Sequence, residues 1–305
     1  MRDRIVILGV FVADTAYRAA RQPKMGETIL GKSFSLGPGG KGSNQAVAAA
    51  QAGGSVHFIS RLGHDPFADM ALATWTKAGV IPEVSQHADS YTGAAYIFVE
   101  DASGDNAIII SPGAAGEISP SDVEARADLI AGAAVFMTQL EQPMDAALRG
   151  LQIAREGGAV TLLNPAPAAE LPSGMLALCD YVTPNESEAE GLTGIAVTDV
   201  DSATRAAEAL LAEGAGCAII TLGEKGVLLH DGSAPVHIPA LDAGAVVETT
   251  GAGDAFNGGF AAALSRGLSP EEAARFGCAT AAISVTRAGT APSMPALAEI
   301  EELLR

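Results

Sequence analysis

The stretches A-V-F-M-T-Q-L at 134–140, M-D-A-A-L-R-G-L-Q-I-A-R-E at 144–156 and V-T-L-L at 160–163 follow one another with little between them. Short apolar runs bounded by turns predict buried strands, and the apolar spacing of the middle segment predicts a helix. Tyr181–Thr183 and Ala218–Leu222 continue the pattern as strands, with helices between. Strands separated by helices imply βαβ units and a parallel sheet covered on both faces. The expectation is an α/β fold, a three-layer α/β/α sandwich around a mostly parallel sheet.

Towards the N-terminus, Ile5–Val12 reads as a buried first strand, with Asp14 just beyond it. Val56–Ser60 reads as a strand, and Gln45–Ala52 and Asp65–Ala78 as helices. Two regions break the alternation. Near 15–37, glycines punctuate strand-like Glu27–Leu36. Near 91–110, Thr92–Glu100 and Asn106–Ile110 flank the turn D-A-S-G-D. Both predict a small extra sheet beside the main one. No repeat or linker divides the chain, so 1–305 reads as one domain.

The 305 residues are 48% apolar and 18% charged, which supports a large core and argues against disorder. The formal net charge of −18 argues against nucleic acid and anionic membranes as partners, since both reward clustered Lys and Arg. A local phosphate site remains compatible with it, because backbone amides and a metal can supply the positive field. Cys179, Cys217 and Cys278 are far apart and odd in number, against disulfides or a zinc site. The start M-R-D-R-I-V-I-L-G-V has no signal-peptide pattern, and no apolar run nears the roughly 20 residues that span a bilayer. A soluble cytoplasmic protein is expected.

Polar residues gather where the strands end. Glu141 follows Leu140, Asn164 follows Leu163, Asn185 follows Thr183, and Thr221 and Gly223 close the strand from Ala218. Ligands of parallel sheets bind beyond the carboxyl ends of strands. The segment E-T-T-G-A-G-D-A-F-N-G-G-F at 248–260 follows apolar Ala245–Val247 and reads as a glycine turn entering a helix. A helix N-terminus leaves amides unpaired and favours an anion. Asp254 suits either a helix cap or a base for a nearby hydroxyl.

Two other motifs are decoys. G-E-T-I-L-G-K-S at 26–33 spells a P-loop, but its middle is strand-like and no helix start follows. Gly37, Gly39 and Gly42 fit G-x-G-x-x-G, but outside the first βα turn and without an acidic end to the next strand. These glycines instead let backbone approach a small polar ligand, with Lys41 and Asn44 supplying side chains.

P-G-G-K-G-S-N-Q-A at 38–46, N-E-S-E at 185–188 and T-T-G-A-G-D-A-F-N-G at 249–258 together resemble the ribokinase-like (PfkB) carbohydrate kinases. L-N-P-A-P-A at 163–168 and T-L-G-E-K-G at 221–226 look like the family's ribose-phosphorylating members. The resemblance spans essentially the whole chain. It implies transfer of phosphate from ATP to a sugar hydroxymethyl group, with the 5-hydroxyl of D-ribose as the expected acceptor. By that resemblance Asp254 is the base, and the amides of Ala252, Gly253 and Asp254 form an anion hole. Asp14, Gly40, Lys41, Gly42, Asn44 and Glu141 would hold the sugar. Asn185, Thr221, Leu222, Gly223, Glu224, Lys225, Gly226 and Cys278 would line the nucleotide site. Glu188 would hold Mg2+ through water. An activating K+ would rest on Glu248, Thr250, Ser284, Arg287, Gly289 and Ser293. The small sheet would be a lid over the sugar that also pairs two subunits as a homodimer.

Two residues depart from the family pattern. Val12 stands where asparagine is usual and cannot hydrogen-bond a hydroxyl. Glu248 stands where aspartate is usual in the K+ site. The first keeps another pentose, a ketose or a nucleoside open as substrate. A catalytically silent sugar sensor is the non-enzyme alternative, but it would need no base at Asp254.

Overall fold

The computed structural model describes residues 3–305. Its strands are β1 (Arg4–Leu8), β2 (Val12–Ala19), β3 (Ser33–Gly39), β4 (Ser55–Gly63), β5 (Ile81–His87), β6 (Thr92–Glu100), β7 (Asn106–Gly113), β8 (Val135–Thr138), β9 (Val160–Leu163), β10 (Tyr181–Val182), β11 (Ala218–Thr221), β12 (Val227–His230) and β13 (Val236–Ile238). The helices are α1 (Lys41–Gln51), α2 (Pro66–Ala78), α3 (Pro120–Glu124), α4 (Ala127–Ala131), α5 (Met144–Gly157), α6 (Glu186–Thr193), α7 (Val200–Ala212), α8 (Ala252–Ser265), α9 (Pro270–Ser284) and α10 (Leu297–Leu303).

Nine strands form one sheet in the order β13-β12-β11-β10-β9-β8-β1-β4-β5, antiparallel only where β12 and β13 join. Successive residues of a strand point to opposite faces. Ile5 and Ile7 therefore pack with α1, α2, α8 and α9, in a core holding Trp75, Phe256 and Phe260. Val6 and Leu8 pack on the other face with Leu151, Ala154, Ala206 and Leu210 of α5 and α7. This is the expected three-layer α/β/α sandwich. From β1 the chain runs outward through β4 and β5, then returns to β8 on the other side of β1 and continues outward to β9 and β10. The carboxyl ends of β1 and β8 thus flank a switch point, where open α/β sheets bind ligands.

The second sheet has the order β3-β2-β6-β7. The two interrupting regions do pair together, but two details differ from the sequence reading. The first strand ends at Leu8, so Val12 and Asp14 open the small sheet rather than close the large one. Glu27–Leu30 is irregular, and β3 begins only at Ser33. Before the glycine turn, apolar Ala245–Val247 is irregular and exposed, and the amide of Val247 donates to the Val285 carbonyl at 2.8 Å.

Candidate active site

Two glycine-rich helix starts meet at the switch point because small residues let their helices touch. A methyl group on Gly258 of α8 would overlap Ala48 of α1 and stand 2.7 Å from the Gln45 carbonyl. On α1, Gly40 is the N-cap, with φ of 88°. The helix starts at Lys41, four residues before the sequence reading placed it, because Glu141 Oε2 accepts from the Lys41 amide at 2.7 Å. Gly42 and Gly9 pack face to face: a Cβ on Gly42 would lie 2.7 Å from the Gly9 Cα. On α8, Gly251 is the N-cap, with φ of 82°. The Ala252 amide donates to the Thr249 carbonyl at 3.1 Å. Gly253 and Asp254 occupy the next two positions, where amides have no partner within the helix. A Cβ on Gly253 would meet no protein atom within 4 Å.

Asp254 is buried, and both carboxylate oxygens accept at 3.0 Å, Oδ2 from Asn44 Nδ2 and Oδ1 from Gln45 Nε2. Burial raises its pKa, against the fields of Lys41 and these two donors. Asp14 fills the space that a side chain on Gly39 would need. Burial first, then the Asp254 charge, push its carboxyl up to about 6. Burial likewise pushes Glu141 up to about 7, against Lys41. Asn44 Oδ1 is buried and has no hydrogen-bond partner among the described residues, so it can accept from a ligand hydroxyl. Val12 is buried beside Gly39, its register partner, and presents only methyl groups.

Asn185 and Glu188 form a reciprocal capping box at the start of α6, with bonds of 2.8 and 2.9 Å. That box uses Glu188 Oε2. Burial raises the pKa of Glu188, and the fields of Lys41 and Asp254 both reach it. Asn185 also bridges to Thr221, which ends β11. Beyond it Leu222, Gly223, Glu224, Lys225 and Gly226 make a tight turn closed by the Leu222 amide on the Gly226 carbonyl. Cys278 sits buried on α9, which packs against β12 and β13. Glu248 Oε2 accepts from the Gly289 amide at 2.8 Å, tying 247–250 to the loop that holds Arg287 and Ser293. The Ser284 and Ser293 hydroxyls are turned to the Ala281 and Thr290 carbonyls, Thr250 is exposed, and Arg287 pairs with Glu299.

Two residues at this junction have no counterpart in the sequence reading. Gln45 touches Asp254 directly; its signal was its place in P-G-G-K-G-S-N-Q-A. Thr290 donates to the Pro38 carbonyl at 2.9 Å, linking the 287–293 loop to the glycine segment before α1.

The pfkB carbohydrate-kinase family matches residues 2–297. The chain belongs to that family. It is 39% identical to a ribokinase of Haemophilus influenzae over 100% of this chain and 99% of the relative. It is 36% identical to a deoxyribokinase of Salmonella typhi over 98% of each. A structure of Arabidopsis thaliana ribokinase complexed with ribose and ATP superposes with a TM-score of 0.93 at 31% identity, covering 100% of this chain and 99% of that one. As a pfkB-family carbohydrate kinase, the chain brings its two glycine-rich helix starts together at one carboxylate, Asp254.

Proposed function

We propose that the protein transfers the γ-phosphoryl group of ATP to the 5-hydroxyl of D-ribose, giving D-ribose 5-phosphate and ADP. One observation carries the reading. A buried carboxylate with both oxygens held stands in the first turn of α8, beside Lys41, where Gly253 leaves its backbone open. Phosphoryl transfer asks a protein mainly for positioning and charge stabilisation. Asp254 takes the hydroxyl proton as the oxygen attacks phosphorus, and ADP leaves. The Gly253 and Asp254 amides face the charge on the transferring group, while the Ala252 amide, expected beside them, is taken by the Thr249 carbonyl. Asp14, Gly40, Lys41, Gly42, Asn44 and Glu141 hold the sugar hydroxyls. Asn185, Thr221–Gly226 and Cys278 border the nucleotide.

No group of three or more metal-binding side chains stands together among the described residues. That suits Mg2+, which is held by one or two carboxylates together with substrate phosphates. Glu188 would serve through water, and the ion would neutralise phosphate charge. K+ would rest on Glu248 and Thr250 with oxygens of Ser284, Arg287, Gly289 and Ser293. The Glu248–Gly289 bond supports this by holding the two segments together. The small sheet closes over the sugar as a lid within a single 1–305 domain, and its outer face pairs two copies. A cytoplasmic setting fits the three free, buried cysteines.

Val12 favours a second reading, 2-deoxy-D-ribose, because a methyl group matches a C–H better than a hydroxyl. A coupled ADP-release assay over D-ribose, 2-deoxy-D-ribose, D-fructose and nucleosides separates the two. D-Ribose at the bottom of that ranking overturns the first reading. Asp254→Asn should lower kcat by about three orders of magnitude with sugar binding retained, a loss in the range of general-base catalysis.

A further inference from the structure

We infer that Gln45, Asn164, Thr183 and Asn257 form a positioning ring that fixes both the Asp254 carboxylate and the glycine turn leading into it. The inference rests on the reading of Asp254 as the base. Starting at the carboxylate, Gln45 Nε2 donates to Asp254 Oδ1 and also to Asn164 Oδ1, each at 3.0 Å. Asn164 Nδ2 donates to the Thr183 carbonyl at 2.9 Å. The Thr183 hydroxyl donates to Asn257 Oδ1 at 2.6 Å. Asn257 Nδ2 then donates to the carbonyl of Gly253, the residue before Asp254, at 2.9 Å. The chain of bonds leaves the carboxylate and returns to the same turn. It draws on α1, the ends of β9 and β10, and α8.

Donors and acceptors leave little freedom. An ionised carboxylate only accepts, so Gln45 must turn its amide nitrogen to it. Gln45 Oε1 is taken by Gln139 Nε2, which blocks the flipped amide. All four ring residues are buried. Buried polar groups are costly unless satisfied, and a helix contact here needs none. The ring adds no charge of its own. Lys41, Asp14, Glu141 and Glu188 are the charged groups whose fields couple to Asp254, so the ring sets orientation while they set the field. A bond to the ionised form favours that form.

Steady-state kinetics against pH, run beside melting curves, test the ring. Gln45→Met should lower kcat about tenfold to a hundredfold, move the sugar KM less than about threefold, and shift the acid limb of kcat upward by about one pH unit. Thr183→Val breaks the ring away from the carboxylate; it should lower kcat severalfold and leave the limb in place. If Gln45→Met does not fold, Gln45→Glu replaces it, with a larger upward shift because a second carboxyl competes for the proton. Wild-type kcat and limb in a folded Gln45 variant overturn the ring, as does an effect on KM alone. Asp254→Asn is measured in parallel. If it is inactive while Gln45 variants behave as wild type, the ring falls and the base stands. If it turns over as wild type, both fall.

Discussion

Burial holds the carboxyl of Glu141 up at about 7 and that of Asp14 at about 6, the latter helped by the Asp254 charge. Between the ordinary carboxylate pKa and these values the native state binds more protons than the unfolded chain. Stability therefore falls as pH rises through roughly 4 to 7, and the full cost stands above the folded pKa. These two carboxylates, proposed to hold the sugar, thus destabilise the fold at the pH where they are ionised. Glu141→Gln keeps an acceptor for the Lys41 amide and removes the charge. It should be more stable than wild type by on the order of 2 kcal/mol at pH 8 and gain nothing at pH 4. Asp14→Asn should behave the same way. Melting temperatures at the two pH values check this, and an equal gain at both would dissociate the effect from titration. Sugar affinity should drop in both variants.

The contact between α1 and α8 places the site, and two glycines of α8 separate packing from chemistry. Gly258→Ala gains helix propensity of about 1 kcal/mol but drives a methyl into Ala48, an overpacking cost of about 1–3 kcal/mol. It should destabilise on balance. Gly253→Ala meets open space, so its melting temperature should hold while kcat collapses, because the methyl enters the space proposed for the phosphoryl group. Loss of stability in Gly253→Ala, or full activity, would contradict that assignment. The same helices show what the sequence could reveal. Strand and helix alternation from Val135 to Thr221 was legible, since apolar periodicity reports local structure directly. The entry to α1 at Lys41 was not, because G-K-G-S has poor helix propensity and its cap, Glu141, comes from a loop 100 residues away. The apolar trio Ala245–Val247 lies exposed, an outcome that apolar composition does not reveal. Asp254 and Asn44 stood out through their motif setting. Gln45 and Asn257 lie in the same two motifs but suggested no role, because an amide on a helix reads as surface until its partners are seen.

At the scale of the molecule, the small sheet divides its work between two faces. Residues in register across strands point to the same side. Asp14, Ala95 and Ile110 are in register, so they share the face that carries Asp14, the carboxylate proposed to hold the sugar. Leu36 with Thr15, Phe34 with Tyr17, and Tyr96 with Ile109 share the other, where the Tyr17 ring lies tilted 5.0 Å from Phe34 and 5.6 Å from Tyr96. Phe34 is 56% and Ile109 66% exposed, an apolar face of the kind that marks an interface. In the proposed homodimer a second copy covers this outer face and steadies the lid over the sugar. Ile109→Glu should then shift the protein from dimer to monomer in sedimentation velocity and raise the sugar KM, because an unsupported lid closes less readily. Ile110→Glu, one residue along and on the other face, should leave the dimer intact and still weaken sugar binding by adding negative charge to the face that carries Asp14. A monomeric wild-type protein, or Ile109→Glu that sediments as wild type, removes the outer face from the interface. Equal dissociation in both variants would show general damage to the sheet instead of a face-specific contact.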